Sequence, residues 1–283
     1  MRGAADFRVM GVVNVTPDSF SDGGRYMQPE RAISHGLELA AEGAAIIDVG
    51  GQSTRPGATP VAAEEELDRV LPVIAGLTSA GTDVQISVDT SRVSVASKAL
   101  DAGATLINDV TALRGDPEMA SLVAASGAQV CLMHMLGEPR TMQDDPRYED
   151  VVSEVKAFLE ERLQFAVREG ADEQRILLDP GIGFGKTVSH NLELIDRLDE
   201  IVALGRPVAI GASRKSFIGR ITGRQDPFDR VAGTVAINAL AYERGARIFR
   251  VHDVAPSRDG LAMAAATVSR RWTETTRPTS STT

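Results

Sequence analysis

Four aspartates of this chain each end, or nearly end, a short apolar run: Asp48, Asp89, Asp109 and Asp179. If these carboxylates faced one cavity, they could hold a metal ion, abstract a proton or bind a ligand that donates hydrogen bonds. A flat heterocycle with an N–H and an amino group on one edge fits well, because two donors match two carboxylate oxygens. Asp179 is best placed for that role. Capping or internal ion pairing is the alternative for any single aspartate.

Basic side chains occupy similar positions elsewhere in the chain: Arg55, Lys215, Arg250 and His252. Alternation along a strand places Arg250 and His252 on one face and the apolar Val251 on the other. In a barrel whose outer face packs against helices, this polar pair belongs inside or at the rim. We therefore expect it to bind an anionic group of a substrate. The alternative is that Arg250 points outward and pairs with a helix carboxylate.

The candidate metal ligands are oxygen atoms. No spacing of histidine, cysteine, aspartate and glutamate is typical of a zinc site. Mg²⁺ needs only one or two protein oxygens besides phosphate oxygens and water, and Asn14, Asp18 and Asp22 could supply them. The segment GIGFGK from Gly181 lacks the full phosphate-binding loop pattern. The one cysteine, Cys131, lies in an apolar run, which indicates a structural role.

Eight short apolar runs position these side chains, and stretches with helical periodicity separate them. The predicted strands cover residues 8–13, 45–49, 84–88, 105–107, 129–133, 175–178, 207–210 and 247–251. The predicted helices include 29–42, 62–77, one capped by Thr90 or Ser91, one with Asp116 as its N-cap, 148–169, and two between residues 213 and 245. Polar clusters at the carboxyl ends of alternating strands are typical of an α/β fold, the (β/α)₈ TIM barrel.

One domain accounts for nearly the whole chain. We expect the barrel over residues 7–272, after an N-terminal extension of residues 1–6. The Thr/Ser-rich residues 273–283 cannot bury enough apolar surface to offset their ordering, so we expect a disordered tail.

The composition excludes some classes of partner. A formal net charge of -9 and a pI near 5.1 argue against a nucleic-acid or anionic-membrane surface, which needs a basic face. The sequence shows no signal peptide and no apolar run of about 18 residues. We therefore expect a cytoplasmic protein with small-molecule substrates and no nucleic-acid or membrane partner.

Two long motifs and six short ones follow one another along residues 7–265. MGVVNVTPDSFSDGG starts at Met10 and DVGGQSTRPGA at Asp48, and SVDT, ND, CLMHM, DPGIGFGK, GASRKS and RVHDV follow in order. Together they resemble the dihydropteroate synthase family of pterin-binding enzymes. The resemblance implies a transferase of folate biosynthesis that condenses (7,8-dihydropterin-6-yl)methyl diphosphate with 4-aminobenzoate, giving 7,8-dihydropteroate and diphosphate. It also implies a dissociative mechanism, in which the C–O bond to diphosphate breaks first or early.

The resemblance assigns roles to residues at matching positions. It implies a pterin site at Asp89, Asn108, Met133, Asp179, Gly211 and Lys215. It implies a diphosphate site at Asn14, Arg55, Arg250 and His252, with Mg²⁺ held at Asn14. It implies a 4-aminobenzoate pocket, with loops that close over it, at Phe20, Asp22, Thr54, Pro56, Phe184 and Ser216.

The chain departs from the family pattern at Gln52, where the family usually has glutamate. The change keeps the size and the hydrogen-bonding reach but removes a charge, so it affects a loop position or an ion pair near the site. We expect activity to survive. Because the pocket residues match the usual pattern, we also expect inhibition by sulfonamides, which compete with 4-aminobenzoate in this family. The resemblance further implies a homodimer, with residues 227–244 and 255–271 as candidate surfaces.

Two other functions stay open at this point. A pterin-binding methyltransferase domain shares the barrel and parts of the DVGG and ND motifs, but it works with a corrinoid partner and does not need the basic residues of SRK and RVHD. A non-catalytic paralogue would keep the barrel as a binding or scaffold protein, and loss of the first-loop or last-strand motifs would favour it. Both motifs are intact. We favour the synthase, because acids in the cavity and bases at the rim agree with the motifs.

Overall fold

The structure, a computed structural model, describes residues 6–16, 28–53 and 61–270. Its strands are Arg8–Asn14 (β1), Ile46–Gly50 (β2), Gln85–Asp89 (β3), Leu106–Asp109 (β4), Gln129–Met133 (β5), Ile176–Asp179 (β6), Ala209–Ile210 (β7) and Ile248–Val251 (β8). They form one 8-stranded parallel sheet in the order β6-β5-β4-β3-β2-β1-β8-β7. A bridge between Leu178 and Val208 joins its two edges. The predicted (β/α)₈ barrel is confirmed.

Helices surround the barrel. They are Gln28–Ala41 (α1), Ala63–Ser79 (α2), Val93–Asp101 (α3), Met119–Ser126 (α4), Val151–Arg168 (α5), Val188–Asp196 (α6), Leu198–Val202 (α7), Ser216–Thr222 (α8), Val231–Glu243 (α9) and Val254–Ser269 (α10). The short helix and the full helix predicted before the last strand are α8 and α9. In the described ranges no helix has both the length and the apolar character that crossing a bilayer requires. The expected extension and tail lie almost entirely outside those ranges, and the domain boundaries stay predictions.

The barrel interior changes character along the strands. At the amino end, Arg8 Nη2 donates to Gln85 Oε1 at 2.7 Å, and Gln85 Nε2 donates to Gln129 Oε1 at 2.7 Å. The next layer is apolar and consists of Met10, Ile46, Leu106, Cys131, Leu177, Ala209 and Ile248. Cys131 is buried in this layer, as its apolar run indicated. Two residues further along four of these strands the interior side chains are polar: Asp48, Asn108, Asp179 and Arg250. The period of two in a strand therefore places a charged layer directly above an apolar one.

The predicted caps of two helices were wrong. Neither Thr90 nor Ser91 caps α3, because Arg92 holds the N-cap position and makes no side-chain cap. The first amide of α3 instead donates to Asp116 Oδ2 at 3.1 Å. Asp116 is not the N-cap of α4, which begins one residue after Glu118. One carboxylate thus stabilises the start of the preceding helix, a contact across 23 residues that local sequence cannot show.

Strand β7 is shorter than the predicted 207–210. Pro207 has no N–H to donate to a neighbouring strand, although its carbonyl accepts from Leu178 N at 3.0 Å. Regular pairing with β8 begins only at Ala209. The sheet is therefore weakly joined between β6 and β7.

Glu66 does more than complement the dipole of α2, which was the expectation for the acidic first turn. Its side chain is 2% exposed, and its Oε2 accepts from Arg92 Nη1 at 2.6 Å. Arg92 Nη2 also donates to the Val61 carbonyl at 2.6 Å. This buried ion pair fixes the start of α2 against the segment that follows β3.

Replacing Glu66 by alanine should lower the free energy of unfolding by about 3 kcal/mol, because it leaves the Arg92 charge partly buried and unpaired. Glu64→Ala is the matched control, since Glu64 is an exposed residue of the same helical turn. It should change stability by less than about 0.5 kcal/mol. Denaturant-induced unfolding of both variants measures the difference, and equal losses would contradict a special role for Glu66.

Candidate active site

A fully buried carboxylate organises the floor of the barrel mouth. Asp48 Oδ1 accepts from Ser87 Oγ at 2.6 Å. Asp48 Oδ2 accepts from Asn108 Nδ2 at 3.0 Å and from Arg250 Nε at 2.6 Å. Charge-assisted hydrogen bonds of this kind are short and fix their donors in place. Asp48 therefore sets the orientation of both the amide of Asn108 and the guanidinium of Arg250.

Arg250 points into the barrel, and the alternative that it pairs with a helix is wrong. Besides Asp48, its Nη2 donates to Asp89 Oδ2 at 2.8 Å. Burial raises the pKa of Asp89 to about 7, and the guanidinium of Arg250 opposes this rise. Asp89 is thus a carboxylate that an additional positive or hydrogen-bond-donating ligand would stabilise in its charged form.

Asp179 lies at the end of β6 beside an open recess. Its Oδ1 accepts from the backbone N–H of Gly181 at 2.7 Å. A Cβ added at Gly211 would lie 3.9 Å from Arg250 Cβ and 4.0 Å from Asp179 Oδ2. The space beside Gly211 therefore borders both charged residues, each within ordinary van der Waals distance of an added Cβ. Burial raises the pKa of Asp179, while the Gly181 amide and Lys215 lower it.

Lys215 and Phe184 form one wall above this recess. The Lys215 amino group lies 4.3 Å from the centroid of the Phe184 ring and donates to the carbonyl of Ile182. Burial lowers the pKa of Lys215 to about 7, although the carboxylate of Asp179 raises it. Gly183 permits this approach, because a Cβ there would lie 2.9 Å from Lys215 Cδ.

An apolar cluster adjoins the same wall. Its buried members are Val110, Met133, Met135 and Met142, with Phe184 partly buried against them. Met133 and Phe184, to which the resemblance gave a pterin role and a 4-aminobenzoate role, belong to this one cluster. The described structure therefore provides an apolar surface next to the acidic floor.

The basic rim is held by residues of two neighbouring loops. The Ser213 hydroxyl accepts from the backbone N–H of His252 at 3.1 Å and lies 3.0 Å from His252 Nδ1. Arg214 donates to both oxygens of Asp253, at 2.9 and 2.5 Å. These bonds fix the end of β8 to the loop that carries Lys215. Arg214 has a φ of 57°, a left-handed conformation that this bidentate pair stabilises.

Two further predicted residues also lie at this end of the barrel. Asn14 ends β1 opposite Gly50 of β2 and shares the interior-facing parity of Met10. Ser216 is exposed at the first position of α8, next to Lys215. Of the predicted site, Phe20, Asp22, Thr54, Arg55 and Pro56 lie outside the described residues, as does Asp18.

Asp109 is not part of the acidic floor. Its Oδ1 accepts from Thr111 N and Thr111 Oγ1 at 2.8 and 2.7 Å, and its Oδ2 accepts from Leu113 N at 2.8 Å. Asp109 directly follows the interior residue Asn108 in β4, so its side chain points to the opposite face of the sheet, away from the interior. The expected ring of four carboxylates is therefore a group of three.

Sequence reasoning counted Asp48 among four candidate carboxylates without giving it a role of its own, and it did not single out Ser87 or Ser213. Parity within the strand was the available signal for Asp48, which alternates with the apolar interior residue Ile46. Ser213 precedes the basic pair Arg214 and Lys215, and nothing in its type or spacing distinguishes it from other loop serines.

Comparisons with known proteins give the class of enzyme. The family model described as pterin binding enzyme matches residues 10–252. Among similar proteins, the dihydropteroate synthase of Mycobacterium leprae is 47% identical over 268 residues, covering 93% of this chain and 94% of the relative. The enzyme of Escherichia coli is 44% identical over 263 residues, covering 93% and 92%.

Solved structures agree with these matches. The Xanthomonas albilineans dihydropteroate synthase with 4-aminobenzoic acid has a TM-score of 0.87 and 52% identity, covering 92% of each chain. The same enzyme in complex with 7,8-dihydropteroate has a TM-score of 0.84 and 48% identity, covering 92% of this chain and 93% of that one. The chain belongs to the family of pterin-binding enzymes. Within it the chain falls among the dihydropteroate synthases, which are transferases of folate biosynthesis.

Asp48→Asn should weaken pterin binding about tenfold, because Arg250 and Asn108 lose a charged acceptor and such hydrogen bonds contribute about 1.5–3 kcal/mol. Calorimetric titration with a pterin measures the affinity. Asp109→Asn is the matched control, since Asp109 is equally buried but faces away from the floor. It should lose stability and keep its affinity. An unchanged affinity in folded Asp48→Asn would contradict the organising role of this carboxylate.

Proposed function

We propose that this chain condenses (7,8-dihydropterin-6-yl)methyl diphosphate with 4-aminobenzoate to give 7,8-dihydropteroate and diphosphate. The observation that carries the proposal is the placement of buried acids beside a basic rim. Asp89 and Asp179 lie on the floor, and Arg250 with His252 lies toward the rim. The related enzyme structures with 4-aminobenzoic acid and 7,8-dihydropteroate support the same substrates.

The pterin binds over the acidic floor. Asp179 Oδ2 borders the recess beside Gly211, where it can accept from the N–H and amino groups of a pterin edge. Asn108 donates its amide nitrogen to Asp48, so its carbonyl oxygen is oriented as an acceptor. Met133 supplies an apolar contact for the ring from the cluster that adjoins the floor.

The reaction proceeds by early departure of diphosphate. The C–O bond breaks with its electron pair going to the diphosphate oxygen, and a positive charge develops on the pterin methylene and ring. Asp89 and Asp179 stabilise this charge, while Arg250 and His252 stabilise the leaving group. The lone pair of the arylamine then forms the C–N bond, and the nitrogen releases a proton. Each group is oriented before the charges develop, which lowers the cost of reorganisation.

Lys215 lies between the proposed pterin site and the proposed 4-aminobenzoate pocket. It shares the Phe184 wall with the proposed 4-aminobenzoate pocket and lowers the pKa of Asp179 on the floor. In this position it hydrogen-bonds the pterin, and its exposed neighbour Ser216 lines the entrance for 4-aminobenzoate. Phe20, Asp22, Thr54, Arg55 and Pro56 complete this proposal from outside the described residues, and the effect of Gln52 stays a prediction.

Asn14 is the residue that would hold Mg²⁺. In the described parts of the chain no cluster of three or more histidine, cysteine, aspartate or glutamate side chains forms a metal cage. The side-chain amide oxygen of Asn14 fits an ion that takes its other ligands from substrate phosphate oxygens and water. When bound, Mg²⁺ neutralises charge on the diphosphate. Arg250 and His252 orient the diphosphate.

A cytoplasmic location stays a prediction.

We also propose a homodimer through the late helices. Residues 227–244 and 255–271 carry large apolar side chains that are exposed on a single chain: Phe228, Leu240, Met263 and Val268. Met263 is 68% exposed and Leu240 is 49% exposed. Apolar side chains concentrated on adjoining elements mark a surface for protein contact, and a second copy of this chain is the proposed partner.

The double variant Leu240→Glu, Met263→Glu should sediment as a monomer where the unaltered chain sediments as a dimer, because it places charges in the apolar contact. Val167→Glu is the control, since Val167 is an exposed apolar residue of α5 outside the proposed surface. A double variant that still sediments as a dimer would contradict this surface.

A diphosphate-release assay tests the proposed reaction. With the pterin diphosphate and Mg²⁺, release should depend on 4-aminobenzoate and yield 7,8-dihydropteroate, and a sulfonamide should compete with the amine. Slow release without the amine would support bond breaking before attack. Absence of release with pterin binding intact would overturn the proposal. Methyl transfer to a corrinoid carrier would instead identify the methyltransferase function.

A further inference from the structure

Lys186 is a buried lysine that the proposed reaction leaves without a role. It lies in the loop between β6 and α6 and is 3% exposed. In residues 6–16, 28–53 and 61–270 it forms no ion pair with a carboxylate; its side-chain partners there are His134 and Phe184. A buried ammonium without a counter-ion is costly, and a lysine in such a place responds by losing its proton.

The hydrogen bonds of Lys186 match a neutral amine. Its Nζ lies 2.9 Å from His134 Nδ1 and donates to the carbonyl of Phe184 at 3.0 Å. An ammonium has three N–H donors and a neutral amine has two, so two acceptors leave one N–H of the ammonium unpaired and none of the neutral amine. Burial is the main cause that lowers the pKa of His134 to about 2, and neighbouring positive charge contributes to the same value. The imidazole is therefore neutral, and in the tautomer that carries its proton on Nε2 the Nδ1 atom accepts from Lys186.

The two acceptors belong to different parts of the site. His134 follows β5, and its ring packs edge-on against Phe158 with the ring centroids 4.9 Å apart. Phe184 lies on the β6–α6 loop, beneath the amino group of Lys215. Lys186 thus joins the end of β5 to the loop that forms the wall around Lys215.

The charged groups around Lys186 act in opposite directions. Burial lowers its pKa well below the ordinary value, the Lys215 ammonium lowers it further, and the carboxylate of Asp179 raises it. Arg114 lies over the ring of Phe158, with its guanidinium carbon 4.8 Å from the ring centroid, and its charge lowers the pKa of His134. The Tyr148 hydroxyl donates to the Gly185 carbonyl of the same loop at 2.8 Å, and burial raises its pKa. Among the described residues, the Asp179 carboxylate therefore raises the pKa of Lys186, whereas burial and the positive charge of Lys215 lower it.

We propose that Lys186 is a positioning residue that works without a charge. Its neutral amine clamps the β6–α6 loop to the end of β5 and so places the Phe184 ring and the Ile182 carbonyl against Lys215. The consequence for catalysis rests on the proposed function. The charge state and the clamp stand on the described contacts alone.

Nuclear magnetic resonance tests the charge state directly. The chain has only four lysines, Lys98, Lys156, Lys186 and Lys215, so labelled lysine side chains of the full-length protein give a spectrum that single substitutions can assign. We expect the Lys186 signal to show the neutral form throughout a titration from about pH 7 to about pH 10, near the ordinary lysine pKa of about 10.4. A charged signal at neutral pH would overturn the proposal.

Stability as a function of pH gives a second test. Lys186 is neutral in the folded chain and protonated in the unfolded chain, so the unfolded state binds one more proton. The unfolding constant of the unaltered protein should therefore fall about tenfold per pH unit relative to Lys186→Met, up to about pH 10.4. Lys98→Met is the control, because Lys98 is exposed on α3, and it should give a flat difference. A flat difference for Lys186→Met would contradict the neutral amine.

Activity of three variants separates a clamp from a cation. Lys186→Gln keeps a neutral donor and should retain kcat/KM for 4-aminobenzoate within about threefold, while Lys186→Met should lose about fivefold, since one lost hydrogen bond costs about 1 kcal/mol. Lys186→Arg carries a permanent charge and should lose the most. If arginine retained more activity than glutamine and methionine, the neutral role would be wrong. The resonance and stability tests do not use the reaction, so they stand even if the proposed function fails.

Discussion

The ion pair between Asp48 and Arg250 is the constraint on which the barrel mouth depends. Asp48 is fully buried, and its two oxygens accept from Ser87, Asn108 and Arg250, so none of its charge is left uncompensated. Loss of the Asp48 carboxylate would leave Asp89 as the carboxylate paired with the guanidinium in the described structure and would remove the acceptor of its Nε, and such losses are more costly in a low-dielectric interior than in water. The strands that carry these four residues are consequently fixed relative to one another by side chains as well as by their backbone ladder.

Burial brings acids and bases of the site close to a change of charge. It raises the pKa of Asp89 and lowers that of Lys215, each to about 7. Either group is therefore near the point at which it loses its charge. A ligand that places positive character over the floor and negative character at the rim restores the charged forms, because each charge then gains a partner. These shifted groups therefore favour a ligand of that polarity over a neutral one of the same shape.

The sequence predicted those features that depend on period and motif. Alternation in the last strand correctly placed Arg250 inside, and the apolar runs correctly gave the barrel. The same alternation explains why Asp48 faces the barrel interior while Asp109 faces away from it. The sequence alone could not show this for Asp109, because in the four-residue strand β4 only the pairing with β3 and β5 fixes which residues face inward. The roles of Glu66, Asp116 and Lys186 arise from contacts across 26, 23 and 52 residues, and no local pattern encodes their partners.

The join between β6 and β7 is the least regular part of the described barrel wall. Strands in a regular ladder are held about 4.8 Å apart, but here a single bridge at Leu178 and Val208 connects the two strands, and the chain continues beyond it to Asp179 on one side and Gly211 on the other. In the described structure the two ends are thus released from the spacing of the sheet where the recess begins. The least regularly paired part of the barrel wall therefore lies beside Asp179 and Gly211, two residues of the proposed pterin site. Regular pairing of β6 with β7 would make the barrel stiffer and hold the ends of these two strands closer together. The irregular pairing seen here therefore means that the backbone, as well as the side chains, contributes to selectivity for ring size.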